Sequence, residues 1–321
     1  MSAKQDQAPP GARGTPASAE ERIIDGRTVR ITTPDRVLWP HTGTTKRDLV
    51  DYLLAVAPVL LPHIRDRGLT LRRFPDGVTG KSWYQAQCRG NPAFVRTHDV
   101  VGAGGELLRY CIVEDAAGLA WLANLSNLEL HPFLSPASRP EEPALFVVDL
   151  DPRPPASILA AARAALRVLD VLDGLGIEAW LKVSGGRGVH VLVPLAPGHD
   201  FGHTKAAARA LADRLARTHP DEISATMARD ARAGRVLVDW LQNDPTRSTA
   251  APYSPRATPV PLVSMPVHRD ELRDAVHAER PDRLRFGFSA ALARVAAAGD
   301  LLAPLVDPGA GIRLPPPEAF A

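Results

Sequence analysis

Only two cysteines occur in 321 residues, Cys88 and Cys111, and neither has metal-type spacing around it. Two isolated thiols argue against a thiolate zinc site. They predict a reducing compartment, with both sulfurs packed as small apolar groups. No apolar run reaches 18 residues, so no membrane-spanning helix is expected. The N-terminus lacks a charged stretch leading into an apolar one, so no secretory signal is expected either. Net charge is small, +2 with a pI near 8.7. That balance neither demands nor excludes nucleic acid. Clusters say more than the total. Arg65, Arg67, Arg72 and Arg73 crowd one region; Arg229, Arg232 and Arg235 crowd another. They are a solvated surface, or a phosphate-neutralising patch if they share one face.

Residues 1–20, rich in Ala, Pro, Gly, Ser and Gln, have no apolar period and are expected to be a disordered tail. Residues 21–321 are expected to form a single domain. A helix is predicted from Thr44 or Thr45, with Leu49, Tyr52, Leu53 and Val56 at helical spacing and Pro58 and Pro62 bending its end. Strands are predicted at 69–74, 81–87, 107–113 and 129–132, with a short helix over 116–125. The second half reads as strand 145–151, helix 157–173, strand 178–183, strand 189–195, helix 204–218 and a strand ending at Asp239. A last helix is expected over 289–298. His199 and His203 have helical spacing without the glutamate that metalloprotease chemistry requires, and read as surface residues. No internal repeat occurs. The pattern predicts an α/β (α+β) fold: mixed β-sheets flanked by helices, with carboxylates at strand ends.

Two stretches about 90 residues apart carry the chemistry: Leu145-Phe-Val-Val-Asp-Leu-Asp-Pro152 and Arg235-Val-Leu-Val-Asp-Trp240. Strand side chains alternate faces, so Asp149 and Asp151 point the same way, roughly 6.5–7 Å apart along the strand. Phe146, Val148 and Leu150 form the opposite face. Pro152 ends the run because it cannot donate a ladder hydrogen bond. An acidic pair at the mouth of a buried strand is costly unless it is paired or metal-bound. Asp239 closes the second run. Three such carboxylates suit hard divalent cations, and two cations can drive in-line phosphoryl transfer. The plain alternative is a loop cap or a solvated strand end.

Between two of the strands lies Ser184-Gly-Gly-Arg-Gly-Val-His190. Three glycines let the backbone approach a ligand, and its N–H groups can face an anion. Arg187 adds charge and Ser184 a hydroxyl. His190 alternates with Val189 and Val191 and so leaves the apolar face. This loop has neither the Gly-Lys-Ser/Thr of a P-loop nor the Gly-x-Gly-x-x-Gly of a dinucleotide fold. A plain Gly-rich hairpin with a surface histidine is the alternative here.

Asp-Leu-Asp-Pro, Ser-Gly-Gly-Arg-Gly-Val-His and Val-Asp-Trp, in that order and spacing, resemble the archaeo-eukaryotic primase superfamily. The resemblance is closer to one branch, the polymerase domain of bacterial DNA ligase D, a primase-polymerase of non-homologous end joining. It covers about residues 30 to 275. It includes Asp35-Arg-Val-Leu-Trp-Pro, Gly43-Thr-Thr-Lys46, Trp121-Leu-Ala-Asn124, Glu129-Leu-His-Pro132, Asp239-Trp-Leu-Gln-Asn-Asp244 and Ala251-Pro-Tyr-Ser254.

The resemblance implies roles. Asp149, Asp151 and Asp239 would hold two divalent ions, manganese or magnesium. Ser184, Arg187 and His190 would contact the triphosphate, and His131 would sit beside the nucleotide. Gln242 and Arg256 would support the nucleotide and the active site. Arg36 and Lys46 match a basic pair that grips a 5′-phosphate. Trp83 and Tyr84 align with an aromatic pair that stacks on the template, and Arg232 with a DNA-contacting arginine. By residue type alone, Lys46 reads equally as a solvated helix residue and His131 as a core or turn histidine. Trp83 and Tyr84 read equally as one core and one exposed strand neighbour.

Some positions depart from the family pattern. Arg36 stands where lysine is usual, keeping charge with a different geometry. Trp83-Tyr84 stands for two phenylalanines, Arg247-Ser-Thr for a Lys-Thr-Thr-type run, and Pro255 precedes Arg256.

The activity implied is templated nucleotide addition at DNA gaps and 5′-phosphorylated ends, with a preference for ribonucleoside triphosphates. No Lys-x-Asp-Gly ligase signature occurs, so a free-standing polymerase or a domain cut from a larger protein is expected. The partners implied are the end-binding protein Ku and a separate ATP-dependent DNA ligase, in the bacterial cytoplasm at the nucleoid. Short-gap excision repair is another setting for the same chemistry. A catalytically weak end-bridging module and a sugar-nucleotide transferase are the alternatives of other classes. The intact carboxylate triad argues against the first, and nothing beyond the Asp-x-Asp supports the second.

Overall fold

The computed structural model describes residues 18–101, 105–228 and 232–321. Residues 1–17 of the expected tail and Arg229 of the second arginine cluster lie outside them. The chain opens with a hairpin, β1 (Ala19–Ile24) on β2 (Arg27–Thr32). Ala19 and Glu20 are therefore ladder residues, not tail. Glu20 and Asp115 hold this hairpin in place through ion pairs with Arg47 and Arg27. A small ladder joins β3 (Val37–Trp39) to β4 (Thr44–Thr45).

Helix α1 (Lys46–Ile64) starts at a capping box: the Thr45 hydroxyl accepts from the Asp48 N–H, and the Asp48 carboxylate accepts from the Thr45 N–H. Leu49, Leu53, Val56 and Leu60 are buried on one stripe, and the helix runs to Ile64 through both prolines.

A five-stranded sheet follows, made of β5 (Leu69–Arg73), β6 (Trp83–Gln85), β7 (Arg96–Val101), β8 (Leu107–Ile112) and, after α2 (Ala116–Asn124), β9 (Asn127–Pro132). Its order is β6-β5-β8-β7, with β9 on the free side of β5. Cys88 and Cys111 are joined here as a disulfide that ties the segment after β6 to β8. This corrects the expectation of two separate core thiols. Their separation of 23 residues gave no cue that the chain folds back on β8.

The second sheet comes from β10 (Leu145–Pro152), α3 (Ile158–Gly174), β11 (Trp180–Val183), β12 (Val189–Pro194), α4 (Phe201–Thr218), β13 (Ile223–Ser224) and β14 (Val236–Asp239). Beyond it lie the ladder β15 (Pro255–Arg256) with β16 (Leu262–Val263), strand β17 (Pro266–Val267), α5 (Arg269–His277) and α6 (Phe288–Ala298). The order is β13-β14-β10-β12-β11-β17, antiparallel except for β13 on β14. Phe146, Val148 and Leu150 pack with Val189, Val191 and Val193 against α3 and α4. Val147 and Leu192 face a second, smaller cluster on the other side. The strand alternation predicted for β10 and β12 is thus present, and it leaves one face free for polar side chains.

His199 lies outside α4 and is buried, accepting from the Leu314 N–H at 3.0 Å. It anchors the C-terminal segment and is not the surface residue its spacing suggested.

Candidate active site

Register places four ionisable side chains in one row across the six-stranded sheet. Lys182 pairs with His190, His190 with Asp149, and Asp149 with Asp239. Directly opposed residues share a face, so all four emerge on the side away from α3. Asp151 follows on the same face, two residues along β10.

The negative end of the row is only partly compensated. Burial pushes the Asp149 carboxyl up to about 7, and the neighbouring Asp239 and Asp151 add to the rise. Asp239 is raised too, chiefly by burial, against the opposing pull of Arg247, the Leu241 N–H and Arg232. Its Oδ1 accepts from the Leu241 N–H at 3.1 Å, which starts the turn after β14. Arg153 approaches Asp151 only to 4.0 Å. An all-oxygen set of this kind fits a hard divalent cation, which would cancel the repulsion. Among the described residues, no three His, Cys, Asp or Glu side chains converge into a finished cage. The fit therefore rests on the donor set and its excess charge.

His190 Nε2 stands 3.4 Å from Asp149 Oδ1, and its Nδ1 contacts the Thr249 hydroxyl at 3.2 Å. Burial, then Lys182, Arg256 and His131, hold its pKa well below the usual imidazole range. It is neutral, so the contact with Asp149 is not an ion pair. Lys182 is fully buried, its ammonium on the Ser264 hydroxyl at 2.9 Å, and burial brings it to about 7. Lys182 belongs to none of the motifs legible in the sequence. A lysine flanked by Leu181 and Val183 inside an apolar strand was the available signal.

The Gly-rich loop closes beside this row. The Ser184 hydroxyl accepts from the Gly188 N–H at 3.1 Å and the Gly186 N–H at 3.3 Å, so it organises the turn it belongs to. Gly185 has φ +73, and a Cβ there would meet Arg256 Cγ at 2.6 Å and the Val263 carbonyl at 2.7 Å. Glycine is needed for both reasons. Arg187 is exposed at the tip. Arg256, on β15, lies against the loop.

A second row crosses the five-stranded sheet. Tyr84 pairs with Arg72, and Arg72 with Glu129. His131 follows Glu129 on the same face, 2.8 Å from its carboxylate. Arg72 lies over the Tyr84 ring and Arg73 over the Trp83 ring, 5.4 and 5.6 Å from the centroids. Trp83 and Tyr84 are 44% and 62% exposed, because β6 is an edge strand with little packed on either face. Neither is a core residue.

The run after β14 joins the two rows. Asn243 is buried and pairs both its amide groups with the Val147 backbone, at 2.7 and 3.0 Å. Gln242, also buried, donates to the Ser248 carbonyl at 2.8 Å. Thr249 and Ala251 then donate to the Pro132 and Leu130 carbonyls.

The basic residues are dispersed. Arg67 is buried and donates to the Phe133 and Leu134 carbonyls. It shares no face with Arg72 and Arg73, so the first cluster is not one patch. Lys46 is buried, its ammonium turned onto the Thr32 and Asn124 carbonyls at 2.7 and 2.9 Å. Burial, then Arg36 and Arg73, lower it to about 8. Arg36 is half-exposed, donates to the Pro75 carbonyl at 2.5 Å and reaches Asp76 at 3.7 Å. Arg232 is buried near Asp239. Thus Arg36, Lys46 and Arg73 do gather positive charge, but only Arg36 turns it outward at that position.

A carboxylate row faced by a Gly-rich hairpin, with a second sheet bearing aromatics, defines a primase-polymerase type of domain. The model of the family "LigD, primase-polymerase domain" matches residues 45–302. The chain belongs to that family. It is 36% identical over 283 residues to the multifunctional non-homologous end joining protein LigD of Mycolicibacterium smegmatis, covering 86% of this chain and 36% of that protein. To the LigD protein of Pseudomonas aeruginosa it is 34% identical over 264 residues, covering 82% and 31%. The fold is similar to the polymerase domain from Mycobacterium tuberculosis Ligase D in complex with DNA, with a TM-score of 0.79 and 32% identity over 87% of this chain and 98% of that one. The chain spans about a third of the length of these curated relatives.

Proposed function

We propose that the chain is a DNA-directed nucleotidyltransferase that fills gaps and ends during double-strand break repair by non-homologous end joining. The carrying observation is the cross-strand row Lys182–His190–Asp149–Asp239 beside the Ser184–Gly188 loop, in a chain of the LigD primase-polymerase family. Asp149, Asp151 and Asp239 would hold divalent metal, manganese or magnesium, which supplies charge stabilisation for phosphoryl transfer.

The protein's own groups do the positioning. Ser184 shapes the loop from within, and the exposed Arg187 at its tip faces the triphosphate. Neutral His190, held between Asp149 and the Thr249 hydroxyl, stands beside the triphosphate without adding a charge that would compete with the metal. Arg256 and His131 flank the nucleotide, and Gln242 holds the 242–248 turn that carries Arg247 toward Asp239. Trp83 and Tyr84 offer exposed rings to template bases. Arg36, with Lys46 behind it, faces a 5′-phosphate. In this role it would prefer ribonucleotides, work with Ku and a separate ATP-dependent ligase, and act at the bacterial nucleoid.

Primer extension on a gapped duplex tests it, with and without a 5′-phosphate, with manganese and either ribo- or deoxyribonucleotides. Templated addition that is lost in Asp149→Ala and weakened without the phosphate is the expected result. Phosphate-dependent DNA binding with no addition would replace this reading with an end-bridging role.

A further inference from the structure

Glu129 is a carboxylate with almost no exposure, 1% for the residue, and it meets groups from three directions. Its Oε2 lies 2.8 Å from His131 Nε2. Its Oε1 accepts from Arg72 Nη1 at 3.1 Å and from the Ala257 N–H at 2.9 Å, with Arg256 Nε at 3.5 Å. Arg72 in turn lies over the ring of Tyr84, and the Tyr84 ring meets the His131 ring edge-on at 6.2 Å. Arg256 packs its stem under Gly185 of the Gly-rich loop. One buried side chain therefore touches the arginine beneath the template-facing aromatic, the histidine beside the nucleotide and the arginine against the phosphate loop.

We propose that Glu129 is the positioning residue of the nucleotide pocket, acting through His131 and Arg256; the proposal rests on the polymerase reading above. A carboxylate on Nε2 fixes the imidazole tautomer with the proton on that nitrogen. Nδ1, which has no hydrogen-bond partner among the described residues, is then an acceptor and nothing else. An acceptor repels phosphate oxygens and takes a hydroxyl. The ligand group that suits His131 is accordingly a sugar hydroxyl of the incoming nucleotide. Glu129 also keeps Arg256 from swinging away from the loop while that arginine waits for a phosphate.

The test is a double-mutant cycle on templated addition, with Glu129→Gln, His131→Ala and the pair, at a fixed gapped duplex and varied ribonucleotide. Glu129→Gln should raise the KM for nucleotide about tenfold, the scale of one charge-assisted hydrogen bond. DNA affinity, read by anisotropy, should stay within about twofold by the same reasoning. Because His131 is the shorter of the two contacts through which Glu129 acts, most of its effect should vanish in the His131→Ala background, the remainder being carried by Arg256. Equal losses in KM, kcat and DNA affinity, or full additivity with His131→Ala, would overturn the proposal. Nitrogen-15 NMR of the histidines in the unmutated protein decides the tautomer even where Glu129→Gln fails to fold. A bare Nδ1 with protonated Nε2 on His131 supports it, and a protonated Nδ1 overturns it. A wild type that adds no nucleotide would sink the polymerase reading instead, leaving the imidazole spectrum to judge Glu129.

Discussion

Asp149 and Glu129 are both buried carboxylates at the heart of a sheet, and their acidities go opposite ways. Asp149 rises to about 7 because burial pushes it up and its neighbours on the row, Asp239 and Asp151, add to the rise instead of opposing it. For Glu129, burial pushes upward, but His131, Arg256 and the Ala257 N–H outweigh it and bring the group down to about 2. The six-stranded sheet leaves its negative charge open, for something outside the protein to neutralise. The carboxylate of the five-stranded sheet has its charge closed by the protein itself, by Arg72 from the same sheet and Arg256 from β15. Burial alone thus says little about a carboxylate's role; the sign of what surrounds it decides.

Four experiments would break or sharpen that contrast. The largest effect belongs to the open row: Asp239→Ala or Asp149→Ala should cut templated addition by about a hundredfold or more. A normal circular dichroism spectrum should accompany that loss. Retained activity would mean the row is not the reacting centre. Next come the exposed rings. Tyr84→Ala or Trp83→Ala should weaken binding to a template overhang by roughly five- to a hundredfold, with unchanged melting temperature. An unchanged titration against overhang DNA would remove β6 from the template path.

Third is the closed carboxylate. Glu129 has its folded pKa below the value 4.5 of the free group. Its stabilisation, on the order of 3 kcal/mol, is present above about pH 4.5 and lost as pH falls through about 2. Glu129→Gln should therefore lower the urea midpoint at pH 7, and the gap should narrow toward pH 3. The fourth effect has the opposite sign. A raised folded pKa makes Asp149 cost stability as pH climbs from about 4 to about 7. In chelator at pH 8, Asp149→Asn should melt higher than wild type, by roughly 2–4 °C for each kcal/mol relieved. At pH 4 the two should coincide. A lower melting point for Asp149→Asn at pH 8 would show that its charge is already balanced.

Much of this was legible in the sequence, for physical reasons. Strand β10 buries both faces up to its carboxylates, so its alternation survives as Phe146, Val148, Leu150 against Val147 and Asp149. Helices α1, α3 and α4 bury a stripe and show it. Other elements hide because little of them is buried. Helix α5 buries only Leu272 and Ala275 among charged residues. Strand β1 is at most half-buried along its length, and its first two residues, Ala19 and Glu20, read as tail. Residue roles were harder than residue positions. Nothing local tells Lys46 to turn its ammonium inward, since the Thr32 and Asn124 carbonyls that hold it come from distant segments. The same is true of Glu129, whose partners Arg72 and Arg256 lie 57 and 127 residues away in sequence.

The run 239–256 bears on how this domain could be cut, permuted or grafted. Within eighteen residues it supplies Asp239 to one sheet, clips β10 through Asn243, lies along β9 through Thr249 and Ala251, and returns Arg256 to the Gly-rich loop. A split or an insertion there would separate both sheets from each other and the carboxylate from the arginine in a single event. The β1–β2 turn at Asp25-Gly26, by contrast, touches none of these, and is where a new terminus or a fused partner would leave the catalytic geometry alone.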